Sequence, residues 1–271
     1  EEELNMSLVQ VNFMSKQLLR TVTFNAIIPL DSLSEDEVKK KRATPLKTLY
    51  LFHGIFGNNT DFLSGTRIQR WAEERNLAVI MPSGDNHFYL DKPDQDDNYS
   101  SYVADELVAF TRSMFPLSHK RDETFIGGLS MGGYGALING LKFSDRFGYI
   151  GAFSPALLID HLAPDEDQGI EMGLKPGYLD NVFGGIDTVK NSDKDYFYLI
   201  DQLIAAGKDI PKIYLPIGKA DFLLEYVREF KAFADEKLLD MTYIEDEGAH
   251  EWDFWDKYTE KFLDWLPLEK I

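Results

Sequence analysis

Phe125–Leu137 reads FIGGLSMGGYGAL and places five glycines around one serine. An apolar run precedes this stretch and a helical pattern follows it, although glycine is disfavoured inside both strands and helices. Gly128-Leu129-Ser130-Met131-Gly132 matches G-x-S-x-G, the pattern of a strand that turns sharply into a helix with the serine at its apex. The backbone at such a serine is strained, and the glycines two positions either side leave room for the crossing strand and helix. A glycine-rich turn with an ordinary serine satisfies the same five letters, so the setting has to decide. TFIGG reads as a strand before it, and Ala136, Leu137 and Leu141 keep helical spacing after it. That strand–turn–helix context is the one a nucleophilic serine requires.

Working outward, apolar runs at Leu8–Met14 and Leu19–Ile28 are separated by a short polar stretch, which predicts a hairpin. A polar, charged insertion, Asp31–Pro45, follows. Further apolar runs stand at Lys47–Phe52, Leu77–Met81, Thr124–Gly128, Gly148–Phe153, Lys212–Ile217 and Met241–Glu245. Helical patterns such as Tyr99–Phe115, Gly132–Lys142 and Asp221–Leu238 lie between most of them. Short continuous strands alternating with helices predict an α/β fold, a mostly parallel sheet of about eight strands with helices on both faces. The expected organisation is one domain over 1–271. Leu157–Lys208, rich in Asp, Gly and Pro, breaks the rhythm and reads as an irregular, cap-like insertion at about 157–208, small for independent folding.

Composition narrows the function classes. The 271 residues carry 28 Lys plus Arg against 46 Asp plus Glu, a net charge of −18, with no basic stripe to suit a nucleic acid. The absence of cysteine excludes disulfides, thiolate metal sites and a cysteine nucleophile. Apolar runs are too short for a membrane span. EEELNMSLVQ at the start lacks a basic segment followed by an apolar one, so the expected location is cytoplasmic, with secretion left open because the chain does not begin with Met. Asp91–Asn98, DKPDQDDN, lacks the glycine and ligand spacing of a calcium loop, and no G-x-G-x-x-G accompanies the glycines of GYGAL. No metal and no cofactor are expected. A homo-oligomer is compatible with everything in the sequence.

A serine hydroxyl is a poor nucleophile and needs a base, itself oriented by an acid. In the fold that carries this turn the partners follow in the chain order Ser, Asp or Glu, His. Of five histidines only His161 and His250 follow Ser130, and His161 lies in the insertion. His250, in the loop after the last strand, is the expected base. Asp221, just beyond the penultimate strand, is the expected acid, although it also precedes a helical pattern and could serve only as its N-cap. The oxyanion needs two backbone N–H groups. One is expected from Met131, the other from Ile55 in His53-Gly54-Ile55-Phe56-Gly57, with His53 read as structural.

With these blocks in place, the chain resembles the esterase D family of α/β-hydrolases, which includes S-formylglutathione hydrolases, tributyrin esterases and feruloyl or cinnamoyl esterases. LFHGIFGNNTDF, KRDETFIGGLSMGGYGAL, GKADFLLE, GAHEWDFW and NVFGGID carry the likeness, which spans nearly the whole chain after Leu46. It is most similar to the tributyrin esterases. The resemblance implies a serine carboxylesterase for short-chain acyl esters, with Ser130 as nucleophile, Asp221 as acid, His250 as base, and Ile55 and Met131 as oxyanion donors. Formylglutathione enzymes typically have S-G-x-T-C where this chain has His53-Gly54-Ile55, a departure that disfavours glutathione thioesters. Family relatives also point to a substrate pocket built from aromatics, here His87, Phe88, Tyr89 and Trp252, with His53 nearby. Feruloyl or cinnamoyl ester hydrolysis and acyl transfer to an alcohol are the alternatives that use the same residues.

Overall fold

The computed structural model describes residues 7–29, 36, 44–162 and 174–270. Most of the predicted polar insertion at Asp31–Pro45, and residues 163–173 of the predicted cap, lie outside them. Eight strands form one sheet: β1 (Ser7–Ser15), β2 (Arg20–Ile28), β3 (Lys47–Phe52), β4 (Leu77–Pro82), β5 (Thr124–Leu129), β6 (Tyr149–Phe153), β7 (Lys212–Gly218) and β8 (Met241–Asp246), in the order β1-β2-β4-β3-β5-β6-β7-β8. β1 and β2 pair antiparallel as the expected hairpin, β2 pairs antiparallel with β4, and every pairing from β4 to β8 is parallel. This is the α/β-hydrolase fold.

Strand periodicity divides the core. Leu49 and Leu51 of β3 join Phe125, Leu129 and Phe153 on one face, while Tyr50 and Phe52 join Ile126, Ile150 and Ile213 on the other, because successive side chains of a strand point to opposite faces. Helices cover both. α4 (Met131–Lys142) packs its Ala136, Leu137 and Leu141 on one face, and α8 (Trp252–Trp265) packs Phe262 and Leu263 on the other. β5, wholly buried at the middle of the sheet, leads straight into α4.

Further helices among the described residues are α1 (Asp61–Gly65), α2 (Ile68–Glu73), α3 (Leu107–Met114), α5 (Tyr178–Phe183), α6 (Tyr196–Ala205) and α7 (Leu224–Glu236). Two differ from the sequence pattern. The run predicted over Tyr99–Phe115 is α-helical at Tyr99–Ser101 and along α3, with a π-helical turn at Tyr102–Glu106 between them. The run predicted from Asp221 starts three residues later, because Asp221 to Leu223 form the turn that introduces α7.

Among its described residues, the segment expected to be irregular contains the α-helices α5 and α6. α6 is capped by Asp195, whose Oδ1 accepts the N–H groups of Phe197 and Tyr198 at 2.9 and 3.1 Å. The Tyr134 hydroxyl donates to the Lys194 carbonyl at 2.8 Å, tying α4 to the residue before that cap. Asp and Gly content hid the apolar face that Tyr196, Ile200 and Leu203 present to the core. Among the described residues no helix is long and apolar enough to cross a membrane.

Candidate active site

Ser130 sits between β5 and α4 with φ 54° and ψ −117°, a left-handed conformation that a non-glycine residue adopts only under constraint. The constraint is visible on both sides. Its N–H donates to Phe153 O at 2.9 Å, and its carbonyl accepts the N–H groups of Tyr134 and Ala156 at 3.1 Å. The flanking glycines are there for clearance: a Cβ at Gly132 would lie 2.3 Å from Phe52 O, and one at Gly128 would lie 2.4 Å from Gly132 O. Strand β3 therefore crosses directly against the turn, which only hydrogen at these two positions allows.

His250, in the loop between β8 and α8, places Nε2 2.9 Å from Ser130 Oγ and Nδ1 2.9 Å from Asp221 Oδ2. With Nδ1–H donating to the carboxylate, Nε2 is left as acceptor for the serine hydroxyl. The Asp221 side chain is buried, and its Oδ1 accepts the N–H of Leu223 at 2.9 Å. Two aromatic rings hold the imidazole in place, Trp255 at right angles with centroids 4.9 Å apart and Phe222 at 4.7 Å. His161, the other histidine after the serine, pairs with Glu229 at 2.6 Å.

The loop after β3 is built around a buried imidazole. His53 Nδ1 lies 2.6 Å from Gly54 O and Nε2 accepts the Gly84 N–H at 2.8 Å. A carbonyl only accepts, so His53 is the neutral tautomer with the proton on Nδ1. Burial keeps its pKa below the ordinary histidine value, which suits that tautomer. The Gly57 N–H also reaches Gly54 O, at 3.2 Å. Gly54 O is thus held from two sides, and the trans peptide turns the Ile55 N–H the opposite way.

A cleft of about 740 Å³ opens above Ser130. Ile55, Ser130, His250 and Trp252 line it, as do Phe56, Leu158, Phe222, Leu223, Tyr226 and Trp255, which the sequence reading did not single out for a pocket. Their signal was adjacency: Phe56 follows Ile55, and Phe222 and Leu223 follow Asp221. Met131 is buried at the start of α4. His53, His87, Phe88 and Tyr89 are placed off the cleft wall. The Tyr89 hydroxyl donates to His53 O at 3.0 Å, Phe88 packs on Tyr134 and Phe183, and His87 stacks on Tyr99 with centroids 4.5 Å apart. Asp85, Phe88 and Tyr89 have positive φ values, and the rings of Phe88 and Tyr89 are buried. Among the described residues no group of three or more His, Asp or Glu side chains could hold a metal ion.

The sheet order and the serine turn are those of an α/β-hydrolase. Comparison with known proteins defines the family: the Esterase family model matches residues 15–263, so the chain belongs to that family. It is 42% identical to an acetyl esterase of Caldicellulosiruptor saccharolyticus over 96% of this chain and 98% of that relative. Among solved structures it is similar to a substrate-bound, fluorophosphonate-binding serine hydrolase of Staphylococcus aureus, with 28% identity and a TM-score of 0.84 over 96% of this chain and 98% of that one. It is also similar to the S-formylglutathione hydrolase of the same organism, with 29% identity and a TM-score of 0.82 over 97% and 99% of the two chains. The protein is a carboxylic ester hydrolase.

Proposed function

We propose that the protein hydrolyses small-molecule esters of short-chain acids through Ser130, His250 and Asp221 and a covalent acyl-enzyme. The observation that carries this reading is the continuous chain of two 2.9 Å contacts from buried Asp221 through His250 to Ser130 at the base of the cleft. Ser130 Oγ attacks the ester carbonyl while His250 Nε2 takes its proton. Asp221 keeps the other ring proton on Nδ1 and stabilises the imidazolium. The developing oxyanion is received by the N–H groups of Ile55 and Met131, each such donor worth roughly 3–4 kcal/mol. His250 then returns its proton to the departing alcohol, and water activated by the same nitrogen releases the acid. In this reading the chain acts as one domain, and the segment at about 157–208 is its cap, since Leu158 near its start reaches the cleft.

Short acyl chains are supported by the identity with an acetyl esterase and by the walls of Trp252 and Trp255. The size of the cleft favours a second reading, a feruloyl or cinnamoyl ester. The test is kcat/KM across matched acetyl, butyryl, octanoyl and feruloyl esters. Preference for acetyl or butyryl supports the first reading, preference for feruloyl the second, and inertness towards all four refutes both.

A further inference from the structure

Among the described residues, the exposed large apolar side chains include only two aromatics: Phe56, 63% exposed, and Phe222, 57% exposed. Both line the cleft, and each directly follows a residue of the proposed machinery, Ile55 and Asp221. Phe56 is the more unusual. Its φ is +68°, and the Gly57 N–H to Gly54 O bond makes it the third residue of a four-residue turn. With a negative φ at Ile55 this is the type II position that glycine normally fills. A bulky residue there is disfavoured by its own backbone, and a ring in water gains nothing from burial. Two stability losses meet at one residue, where glycine would remove both. Strain of this kind points to a function for the side chain.

The geometry also says which half of an ester the ring would meet. Ser130 is 3% exposed, and the acyl group stays bonded to it when the alcohol departs. The alcohol must leave by the open mouth, where Phe56 and Phe222 stand. Among the described residues, the same cleft wall includes Asp61 and Glu251 and no Lys or Arg. An anionic alcohol therefore meets like charge there.

We infer that Phe56 and Phe222 form a rim subsite for the alcohol half of the substrate, and that this subsite takes an uncharged alcohol with an apolar face. The inference rests on the serine-esterase reading above. The alcohol has gone before water attacks, so the rim acts on acylation and is read in kcat/KM.

The experiment compares methyl, benzyl and 3-carboxybenzyl acetate, which share one acyl group, on the wild type, Phe56→Gly and Phe56→Tyr. Benzyl acetate is expected to exceed methyl acetate by about tenfold in kcat/KM on the wild type, and the anionic ester to fall below benzyl. Phe56→Gly is expected to reduce the benzyl-to-methyl ratio by about tenfold while raising Tm, and Phe56→Tyr to retain the ratio. A lower Tm in Phe56→Gly, or a ratio that does not move, overturns the rim subsite. Hydrolysis of methyl acetate that Ser130→Ala abolishes leaves the serine reading standing in that case, whereas wild-type inertness towards all three acetates overturns both.

Discussion

Asp221 accepts the backbone N–H of Leu223 at 2.9 Å on Oδ1, the carboxylate oxygen that His250 does not use. The sequence left this residue two roles, helix start and imidazole partner, and the structure gives each oxygen one. The roles are therefore separable. Asp221→Asn can keep an acceptor for Leu223 while presenting a neutral amide to the imidazole, and is expected to lower kcat about 10⁴-fold with little loss of stability. Asp221→Ala should lose the turn as well, costing about a further 1 kcal/mol in urea denaturation. Equal stability losses in the two variants would contradict the division.

Ser130 carries the backbone strain and, in the proposed mechanism, the reaction as well. Ser130→Ala keeps the constrained backbone, and is expected to lose turnover by about 10⁴- to 10⁶-fold and to lose covalent labelling by a fluorophosphonate while melting near the wild type. Ser130→Gly removes the penalty at φ 54° and should be more stable by about 1 kcal/mol, though equally inactive. Labelling that survives in either variant would place the nucleophile elsewhere.

The strands and the serine turn could be read from sequence because both are local patterns. Short apolar runs, which become strands of five to nine residues, declare themselves, and a strand–turn–helix around glycines declares a turn that nothing else explains. The meeting of His250 with Ser130 across 120 positions was legible only through the chain order that this fold imposes. The loops were not legible. Phe88 and Tyr89 read as wall aromatics but adopt φ values of 51° and 57°, which propensity disfavours in bulky residues, and both turn inward. Phe56 escaped notice for the same reason, with the opposite result, an exposed ring. Trp255 follows helical spacing and reads as core, which it is, but its edge also meets His250.

Protonation of buried His53 should set the acid limb of stability. Burial lowers its pKa, and burial also lowers that of His87. The unfolded chain takes up protons near pH 6.5 while the folded chain resists them, so stability is fully present above that pH and declines as pH falls below it. His53→Gln can donate to Gly54 O and accept from Gly84 without titrating. Thermal unfolding from pH 7.5 to 5 should show a shallower decline of Tm in this variant, the remaining slope in that window including the part from His87. Glu245, held down to about 2 by its bond to Arg228, titrates below this range. Identical slopes in variant and wild type would remove His53 from the account.

Trp252 rests on Gly65 with no space between them. A Cβ added at Gly65 would lie 2.4 Å from Trp252 Cε3 and 2.5 Å from Cζ3, so the indole would have to move. Phe62 and Trp255 meet the ring edge-on at 6.0 and 5.2 Å, which leaves the cleft it lines as the direction open to it. Gly65→Ala is thus expected to shorten the cleft and bias the enzyme towards small acyl groups. Each methylene denied burial is worth about 0.8 kcal/mol, so the octanoyl-to-acetyl ratio of kcat/KM should fall about tenfold once two are displaced. Trp252→Phe in the Gly65→Ala background makes room for the methyl group and should restore the ratio. A loss that is uniform across chain lengths, or a ratio that Trp252→Phe leaves unrestored, would show that Trp252 does not bound the acyl group and that Gly65 serves only the packing of α1.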